Sequence, residues 1–318
     1  MDLFESIEAV PDDFGAVAVT IGKFDGVHGG HRAVLERLQQ IAADRGLRSV
    51  VVTFDRNPMS LLIPEACPQP LVSTEQKLER LSSTGVDATL VLTFDRALSE
   101  VSAEDFVATV LAGALHTRVI LVGADFRFGA RGAGDVDLLR SLGERHGFEV
   151  IVIDDIELEA GRRISSTFVR ELLAGGRVAE AGRILTALHS VRGIVVLGQQ
   201  RGRELGYPTA NLERVPEGFI PADGVYAAWL VIDGTRFAAA VSIGNNPTFE
   251  GVAEKQVEAH ALDQDFDIYG KRVEIEFVEF IRGMVKFSSI DSLVAEMRRD
   301  EENVRTILGM PAKAALEK

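Results

Sequence analysis

The chain holds a single cysteine, Cys67, among 318 residues. One thiol forms no internal disulfide, and Cys67 belongs to no zinc-ligand spacing, so a disulfide-stapled domain and a zinc module are both excluded and a reducing compartment is expected. Long apolar runs are also missing. No segment approaches the about 18 consecutive apolar residues of a membrane span, and the opening MDLFESIEAV is acidic, without the basic start and apolar core of a signal peptide. A soluble, cytoplasmic protein with no membrane partner is expected. Positive charge is in deficit: 34 Lys and Arg stand against 48 Asp and Glu, for a net charge of -14. That balance argues against a nucleic-acid partner, which calls for a basic stripe, yet leaves room for a nucleotide held in a local positive pocket or through magnesium. Two phosphate-binding signatures are absent as well. No stretch supplies G-x-x-x-x-G-K-[ST], and GARGAG at residues 129–134 has the wrong spacing for G-x-G-x-x-G.

What the chain does have is rhythm, over a length that implies two domains. The first half carries five short apolar runs, AVAVTIG, SVVVTF, ATLVLTF, RVILVG and FEVIVID, each the length of a strand buried on both faces. Between the first two, HRAVLERLQQIAADRG sets Val34, Leu35, Leu38 and Ile41 on one helical stripe and stops at Gly46, which suits the residue that closes a helix. Strand, helix, strand predicts an α/β fold with a doubly wound parallel sheet. Two of the runs end alike, in Thr53-Phe54-Asp55-Arg56 and Thr93-Phe94-Asp95-Arg96, which reads as recurring strand-end chemistry rather than a solenoid repeat. After ELLAGGRVAEAGRILTALHS the texture becomes antiparallel β. GVYAAWLVIDGTRFAAAVSIG is two strands about an Asp233-Gly234 hairpin turn, and QVEAHALD and KRVEIEFVEFIR follow. A final helix is expected, with Ser288 and Asp291 as its capping box and Leu293, Val294, Met297, Val304, Ile307 and Leu308 as its apolar face. The boundary falls near residues 186–190, giving domains 1–187 and 188–318.

In an open parallel sheet ligands bind beyond the carboxyl ends of the strands, so the residues after each apolar run are the first candidates. Lys23, Phe24, Asp25, His28 and His31 follow the first run, Asp55 and Asn57 the second, and Asp125 and Arg127 the fourth. In TIGKFDGVHGGH, Gly26, Gly29 and Gly30 permit tight turns and close backbone approach, while the helix starting there offers unpaired N–H groups and a positive dipole end. His28 and His31 lie on nearly one helical face, where imidazole N–H groups suit phosphate oxygens. Taken alone, the pair also fits a helix cap with a packed neighbour, or two ligands of a zinc ion that lacks its third. ISSTFVR at residues 164–170 favours phosphate. Its Ser165, Ser166 and Thr167 open a second helical pattern with Arg170 one turn in, an anion cradle that by itself is equally an ordinary N-cap.

GKFDGVHGGH followed by VGADFRFG, then by Arg131, Gly134 and Asp135, and far downstream by ISSTFVR, resembles the H-x-G-H nucleotidyltransferase superfamily, specifically the FMN adenylyltransferase module of prokaryotic bifunctional riboflavin kinase/FAD synthetases. The resemblance implies that His28 and His31 bind ATP phosphates and stabilise the transition state at the α-phosphorus. It also implies that Gly22, Phe24, Asp25, Gly26 and Gly30 serve the nucleotide, that Asn57, Asp125 and Phe126 help hold flavin or metal, and that Ser165, Ser166, Thr167 and Arg170 clamp phosphates. The FMN phosphate would attack ATP directly and pyrophosphate would leave. Lys23 stands where that family more often has asparagine, and DRNP replaces its commoner Pro-His-Pro form.

GQQRGRELGYPTANL, residues 198–212, is the densest feature of the second domain. Gly198, Gly202 and Gly206 make a loop able to wrap phosphates, with Arg201 and Arg203 adding charge. Thr209 and Asn211 are two apart, so in an extended stretch they share a face and present two neutral oxygens to magnesium. A glycine-rich surface loop entering a strand is the plainer account of the same letters. GRELGYPTAN, PADGVYA, VSIGNNPTF, VEAHALDQDFDIYG and FIRGMVKFSSIDSL, in that order, resemble riboflavin kinase, and the two resemblances together cover nearly the whole chain. The second implies a six-stranded antiparallel β-barrel with Thr209 and Asn211 on Mg2+, Gly202, Arg203 and Gly206 over ATP, and Glu258 as general base for the ribityl 5′-hydroxyl. Parity puts Glu258 and His260 on one strand face and Val257, Ala259 and Ala261 on the other, with His260 a neighbour rather than a catalyst. Met284, Phe287 and the final helix are expected to border the isoalloxazine ring. The expectation is a bifunctional transferase converting riboflavin to FMN and FMN to FAD with ATP and Mg2+, with a homo-oligomer left open. Its rivals are a chain retaining one activity and a flavin-binding sensor without turnover.

Overall fold

The computed structural model describes residues 1–153, 163–198, 206–245 and 255–311. They divide into two compact units between Ser166 and Thr167. The first is built on six parallel strands, β1 (Asp2–Phe4), β2 (Val17–Ile21), β3 (Arg48–Phe54), β4 (Ala88–Leu92), β5 (Thr117–Gly123) and β6 (Glu149–Ile153), in the order β1-β4-β3-β2-β5-β6. The expected runs are β2 to β6. The additional β1 is a three-residue edge strand of which only Phe4 is buried, too short for any periodicity. The chain moves outward from β2 through β3 to β4, then crosses back to lay β5 on the other side of β2. The crevice beyond the carboxyl ends of β2 and β5 is therefore the topological switch point, where such sheets bind ligands.

The helices of this unit are α1 (Gly29–Arg45), the single turn α2 (Met59–Leu62), α3 (Thr74–Ser82), the single turn α4 (Arg96–Ser99), α5 (Ala103–Phe106), continued by a π-helical stretch over Val107–Ala114, and α6 (Val136–His146). Alternation along the strands splits the core in two. Val17, Val19, Val50, Val52, Ile120 and Val122 pack with Phe106, Val107, Leu111, Leu139 and Leu142, whereas Ala18, Val51, Val119 and Leu121 pack with Leu35, Leu38 and Ile41 of α1 and Leu81 of α3. The predicted stripe is thus the buried face of α1, with Val34 half-buried beside it. Gly46 closes the helix at φ 64°. Leu47 N–H reaches Ala42 O at 2.8 Å and Gly46 N–H reaches Ala43 O at 3.3 Å, the pairing of a Schellman turn.

The helix α7 (Ser166–Ala174) runs on from the division and is followed by α8 (Val178–Leu185). The second unit then closes a six-stranded antiparallel barrel from β7 (His189–Val196), β8 (Ala210–Leu212), β9 (Gly224–Ile232), β10 (Thr235–Asn245), β11 (Lys255–Ala261) and β12 (Arg272–Arg282), in the order β10-β11-β8-β7-β12-β9. Val178, Ala181, Ile184 and Leu185 bury one face of α8, which packs on β7 and β12, and Ala222 N–H bonds to Leu173 O of α7. These contacts draw both helices to the barrel, and the compact units part after Ser166. The Asp233-Gly234 turn has the two positive φ angles, 50° and 80°, that a two-residue hairpin requires. Irregular register in β12 between Phe277 and Glu279, and again between Phe280 and Arg282, bends that strand.

The terminal helix is α9 (Ile290–Ile307), and two expectations about it need correcting. Its capping box is Ser289 with Ser292, one residue beyond the predicted Ser288 and Asp291, because the Ser292 hydroxyl reaches back to the Ser289 backbone while Asp291 lies in the first turn. Its inner face is only partly apolar. Ile307 is exposed, whereas Asp300, Glu301 and Arg305 are buried. Each buried charge is matched: Arg282 donates to Asp300 at 2.9 and 2.6 Å, and Arg305 to Asp263 at 2.5 Å and Glu301 at 3.1 Å.

Candidate active sites

At the switch point, residues 22 to 28 form a loop in which Phe24, Gly26 and Val27 all have positive φ. The loop delivers His28 to the N-cap of α1, where its Nδ1 accepts from His31 N–H at 3.3 Å. The two imidazoles stack with ring centroids 3.7 Å apart and planes 15° from parallel, and Phe24 lies 4.9 Å from His31 on the other side. Glycine permits close approach at two positions. A Cβ at Gly30 would stand 3.2 Å from the His28 ring, and one at Gly22 3.0 Å from the Phe24 ring. Burial lowers the His28 pKa to about 4, a backbone hydrogen bond opposing this and Arg163 adding repulsion. Burial, then His28 itself, holds His31 well below the ordinary value. Both rings are therefore neutral near pH 7. With Nδ1 accepting, neutral His28 keeps its proton on Nε2 as a free-standing donor. Among the described residues His31 Nδ1 is buried with no hydrogen-bond partner.

The remaining predicted residues divide by what they touch. Asp25 is engaged in the loop's own support: its Oδ1 accepts from Leu71 N–H at 2.9 Å and its carbonyl from Ser166 Oγ at 2.8 Å. Ser166 thus meets the histidine loop through its hydroxyl. Ser165 precedes it, while Thr167 and Arg170 fall beyond the division in α7. Asn57 Oδ1 accepts from Met59 N–H, shaping the entry to α2, and Asn57 lines a small cavity with Lys23, Asp25, Asp55, Thr74 and Lys77. Asp125 pairs with Arg163 at 3.3 Å in an exposed position, and Phe126 stacks on Phe128 against the core. Sequence reasoning missed Lys77. It is buried, donates Nζ to Phe54 O at 2.5 Å, and has its pKa lowered to about 8 by burial against the raising pull of Asp25 and Asp55.

In the second unit strand register makes the site. Glu258 of β11 stands directly opposite Asn211 of β8. Val257, Ala259 and Ala261 are buried, leaving Gln256, Glu258 and His260 on the other face, as parity required. Burial raises the Glu258 pKa above the ordinary carboxylate value. Asn211 is buried, its Nδ2 3.3 Å from Thr209 Oγ1, and its Oδ1 accepts from Gln256 Nε2 at 2.8 Å. Thr209 and Asn211 are therefore neighbours through the hydroxyl and the amide nitrogen, while the amide oxygen faces Gln256. The third member, Gln256, was missed, although its period-two spacing from Glu258 and His260 carries the signal. His260 Nδ1 donates to Pro208 O at 2.8 Å and its ring meets Tyr207 edge-on, which fixes the strand entry beside Thr209. Gly198 is glycine because a Cβ there would lie 2.5 Å from the Asn211 amide. A cavity of about 110 Å³ opens here, lined by Gly198, Thr209, Asn211, Asp265, Asp267 and Tyr269. Gly206 has φ 83° with open space around it, whereas Gly202 and Arg203 lie outside the described residues. Met284, more than half exposed, approaches Gly244 with its Cε, and Phe287 lies beneath the Arg282 guanidinium at 5.9 Å. Both sit in the segment between β12 and α9.

Residues 11–168 match the family described as FAD synthetase, and residues 185–308 the family described as riboflavin kinase. Over 297 residues the chain is 37% identical to the bifunctional riboflavin kinase/FMN adenylyltransferase of Escherichia coli K12, covering 93% of this chain and 94% of that one. It is 35% identical over 289 residues to the corresponding protein of Listeria monocytogenes, covering 90% and 91%. A crystal structure named as a macrolide-efflux protein from Streptococcus pneumoniae shares the fold at a TM-score of 0.83 and 32% identity, covering 95% of this chain and 98% of that one. Among the described residues no helix is long and apolar enough to cross a membrane.

Proposed function

The chain belongs to the bifunctional riboflavin kinase/FMN adenylyltransferase family, and on that premise we propose that its second unit phosphorylates riboflavin to FMN and its first unit adenylylates FMN to FAD, each with ATP. The observation that carries this reading is the match of both families, in sequence order, within one chain that covers 93% of its length in alignment with a two-activity relative. The two sites are consistent with the two chemistries.

In the first unit His28 and His31 act as neutral donors to the phosphate chain of ATP. The Nε2–H of His28 stabilises charge as it builds on the α-phosphate, and an arriving anion raises both imidazole pKa values. No protein base is needed, because the attacking FMN phosphate is already ionised. Its oxygen bonds to the α-phosphorus as the bond to the bridging oxygen breaks, and the electron pair leaves with pyrophosphate. Asn57, Asp125 and Phe126 serve the flavin side of this reaction.

In the second unit the nucleophile is an alcohol, and Glu258 accepts its proton as the oxygen bonds to the γ-phosphorus and ADP leaves. A carboxylate whose pKa is raised by burial is the stronger base for this step. Thr209 and Asn211 suit a magnesium ion by their chemistry: both carry hard, neutral oxygens and they are neighbours, with Asn211 Nδ2 3.3 Å from Thr209 Oγ1, so that a turn of the amide away from Gln256 would bring Oδ1 to the hydroxyl's side. Bound there, the ion supplies charge neutralisation on the ATP phosphates.

The test is to incubate purified protein with riboflavin, ATP and magnesium and to separate the flavins by chromatography. FMN followed by FAD is the expected outcome. FMN without FAD would contradict the adenylylation step, and unchanged riboflavin would favour the non-catalytic flavin binder.

A further inference from the structure

The histidine loop is held in a conformation that its own residues resist. Phe24 and Val27 have φ of 49° and 45°, an outlier for a bulky residue and for a β-branched one. Such strain persists only where the surroundings over-determine it. Here they do so through the carbonyls. Lys23 O accepts from Thr53 Oγ1 at 3.3 Å, Phe24 O from Val27 N–H at 3.1 Å, Asp25 O from Ser166 Oγ at 2.8 Å and Gly26 O from Arg80 Nη1 at 3.0 Å.

Arg80 is the last of a stripe. Thr74, Lys77 and Arg80 fall at i, i+3 and i+6 on α3, and each donates to a main-chain oxygen at the carboxyl edge of the sheet: Asp55 O at 2.6 Å, Phe54 O at 2.5 Å and Gly26 O at 3.0 Å. An amphipathic helix would ordinarily give these positions to solvent or to apolar packing. Instead the side chains are spent on the strand ends and on the turn that leads into α1.

We infer that α3 is a positioning element for adenylyl transfer, in which Arg80, backed by Lys77 and Thr74, fixes the Gly26–Val27 turn and thereby the stacking of His28 on His31. The inference rests on the proposal that this histidine pair is the phosphate site. Arg80 and Lys77 then act on turnover through the histidines. The loss of the Gly26 anchor lets the strained turn relax, which displaces His28 from the helix cap while leaving the sheet intact.

The experiment compares Arg80→Met, Arg80→Lys and His31→Ala in the full chain, with riboflavin phosphorylation as an internal measure of the second unit. Arg80→Met is expected to lower kcat for FMN adenylylation by about ten- to a hundredfold, with KM for ATP within about threefold of the parent, as for misplacement of a reacting group. Arg80→Lys, or guanidinium added to Arg80→Met, is expected to restore part of that loss. A second readout is the titration of the histidine rings by NMR with labelled histidine. In the parent, His28 stays neutral down to about 4 because of its burial and the repulsion of Arg163, opposed by a backbone hydrogen bond; in Arg80→Met its titration moves toward 6.5 as the stack opens. A fall in melting temperature without that movement would overturn the inference, since it describes a purely structural arginine. So would an Arg80→Met enzyme of unchanged kcat beside an inactive His31→Ala. If His31→Ala itself adenylylates FMN normally, the site proposal fails first and the positioning role falls with it.

Discussion

The groups proposed to react in the first unit sit in a loop at a helix cap, and those proposed for the second sit on regular strands. In the loop, positive φ angles and glycines bring two imidazoles to a 3.7 Å stack. On the strands, the antiparallel register alone sets Glu258 against Asn211. Burial perturbs both sets toward their neutral forms, but the chemical consequences are opposite. A histidine whose pKa falls stays an uncharged donor, suited to an ionised nucleophile that needs only stabilisation of charge. A carboxylate whose pKa rises becomes a better proton acceptor, suited to an alcohol. One physical cause, desolvation, thus serves two mechanisms because the starting charges differ.

The sharpest way to break this comparison is at the base. Glu258→Gln keeps the shape and removes the proton acceptor, so kcat for riboflavin phosphorylation should fall by about 10²- to 10⁴-fold in steady-state assays. The parent kinase should also lose activity on acidification at a pH above that of an ordinary glutamate, because a raised pKa means protonation begins earlier as pH falls. Next in size is Gly198→Ala. The new Cβ must displace the Asn211 amide, and phosphorylation should drop by about ten- to a hundredfold with a higher magnesium requirement. Gln256→Leu removes the bond to Asn211 Oδ1. About a tenfold higher magnesium requirement, with kcat recovered at saturating metal, is the expected signature in a magnesium titration.

The smallest effect separates the units by pH. Because His28 is lowered from 6.5 to about 4, the unfolded chain takes up a proton below pH 6.5 that the folded site refuses until about pH 4. Its contribution to stability is therefore complete above 6.5 and is lost as the pH falls through that window, by about 1–3 kcal/mol. Hydrogen exchange at pH 7 and pH 5 should show the first unit loosening more than the second, and His28→Gln should reduce the difference, His31 supplying the remainder.

Much of the fold is written in local patterns. Five strands announce themselves as apolar runs, although the edge strand β6 is only half-buried, Gly46 marks a helix end, and Asp233-Gly234 marks a hairpin, since each depends on a few adjacent residues. The paired Thr-Phe-Asp-Arg segments show where this stops. Asp55 Oδ1 reaches across to Phe94 N–H, while Asp95 Oδ1 caps α4 through Leu98 N–H, so the same four letters do different work according to which strand is beside them. In the sites, His28, His31, Thr209, Asn211 and Glu258 stand out because glycines or parity frame them. Lys77, Arg80 and Gln256 do not, as each is a polar residue on an amphipathic element whose partner is a distant carbonyl or amide. The same reason hides the inner face of α9, where Asp300 and Arg305 find partners in Arg282 and Asp263.

The central claim is that the two units carry independent chemistries in one chain. It is tested most directly by supplying His31→Ala and Glu258→Gln separately with riboflavin and with FMN, in ATP and magnesium, and resolving the flavins by chromatography. The account predicts that His31→Ala makes FMN and no FAD, and that Glu258→Gln makes FAD from FMN and leaves riboflavin unconverted. Either substitution stopping both steps equally would contradict it.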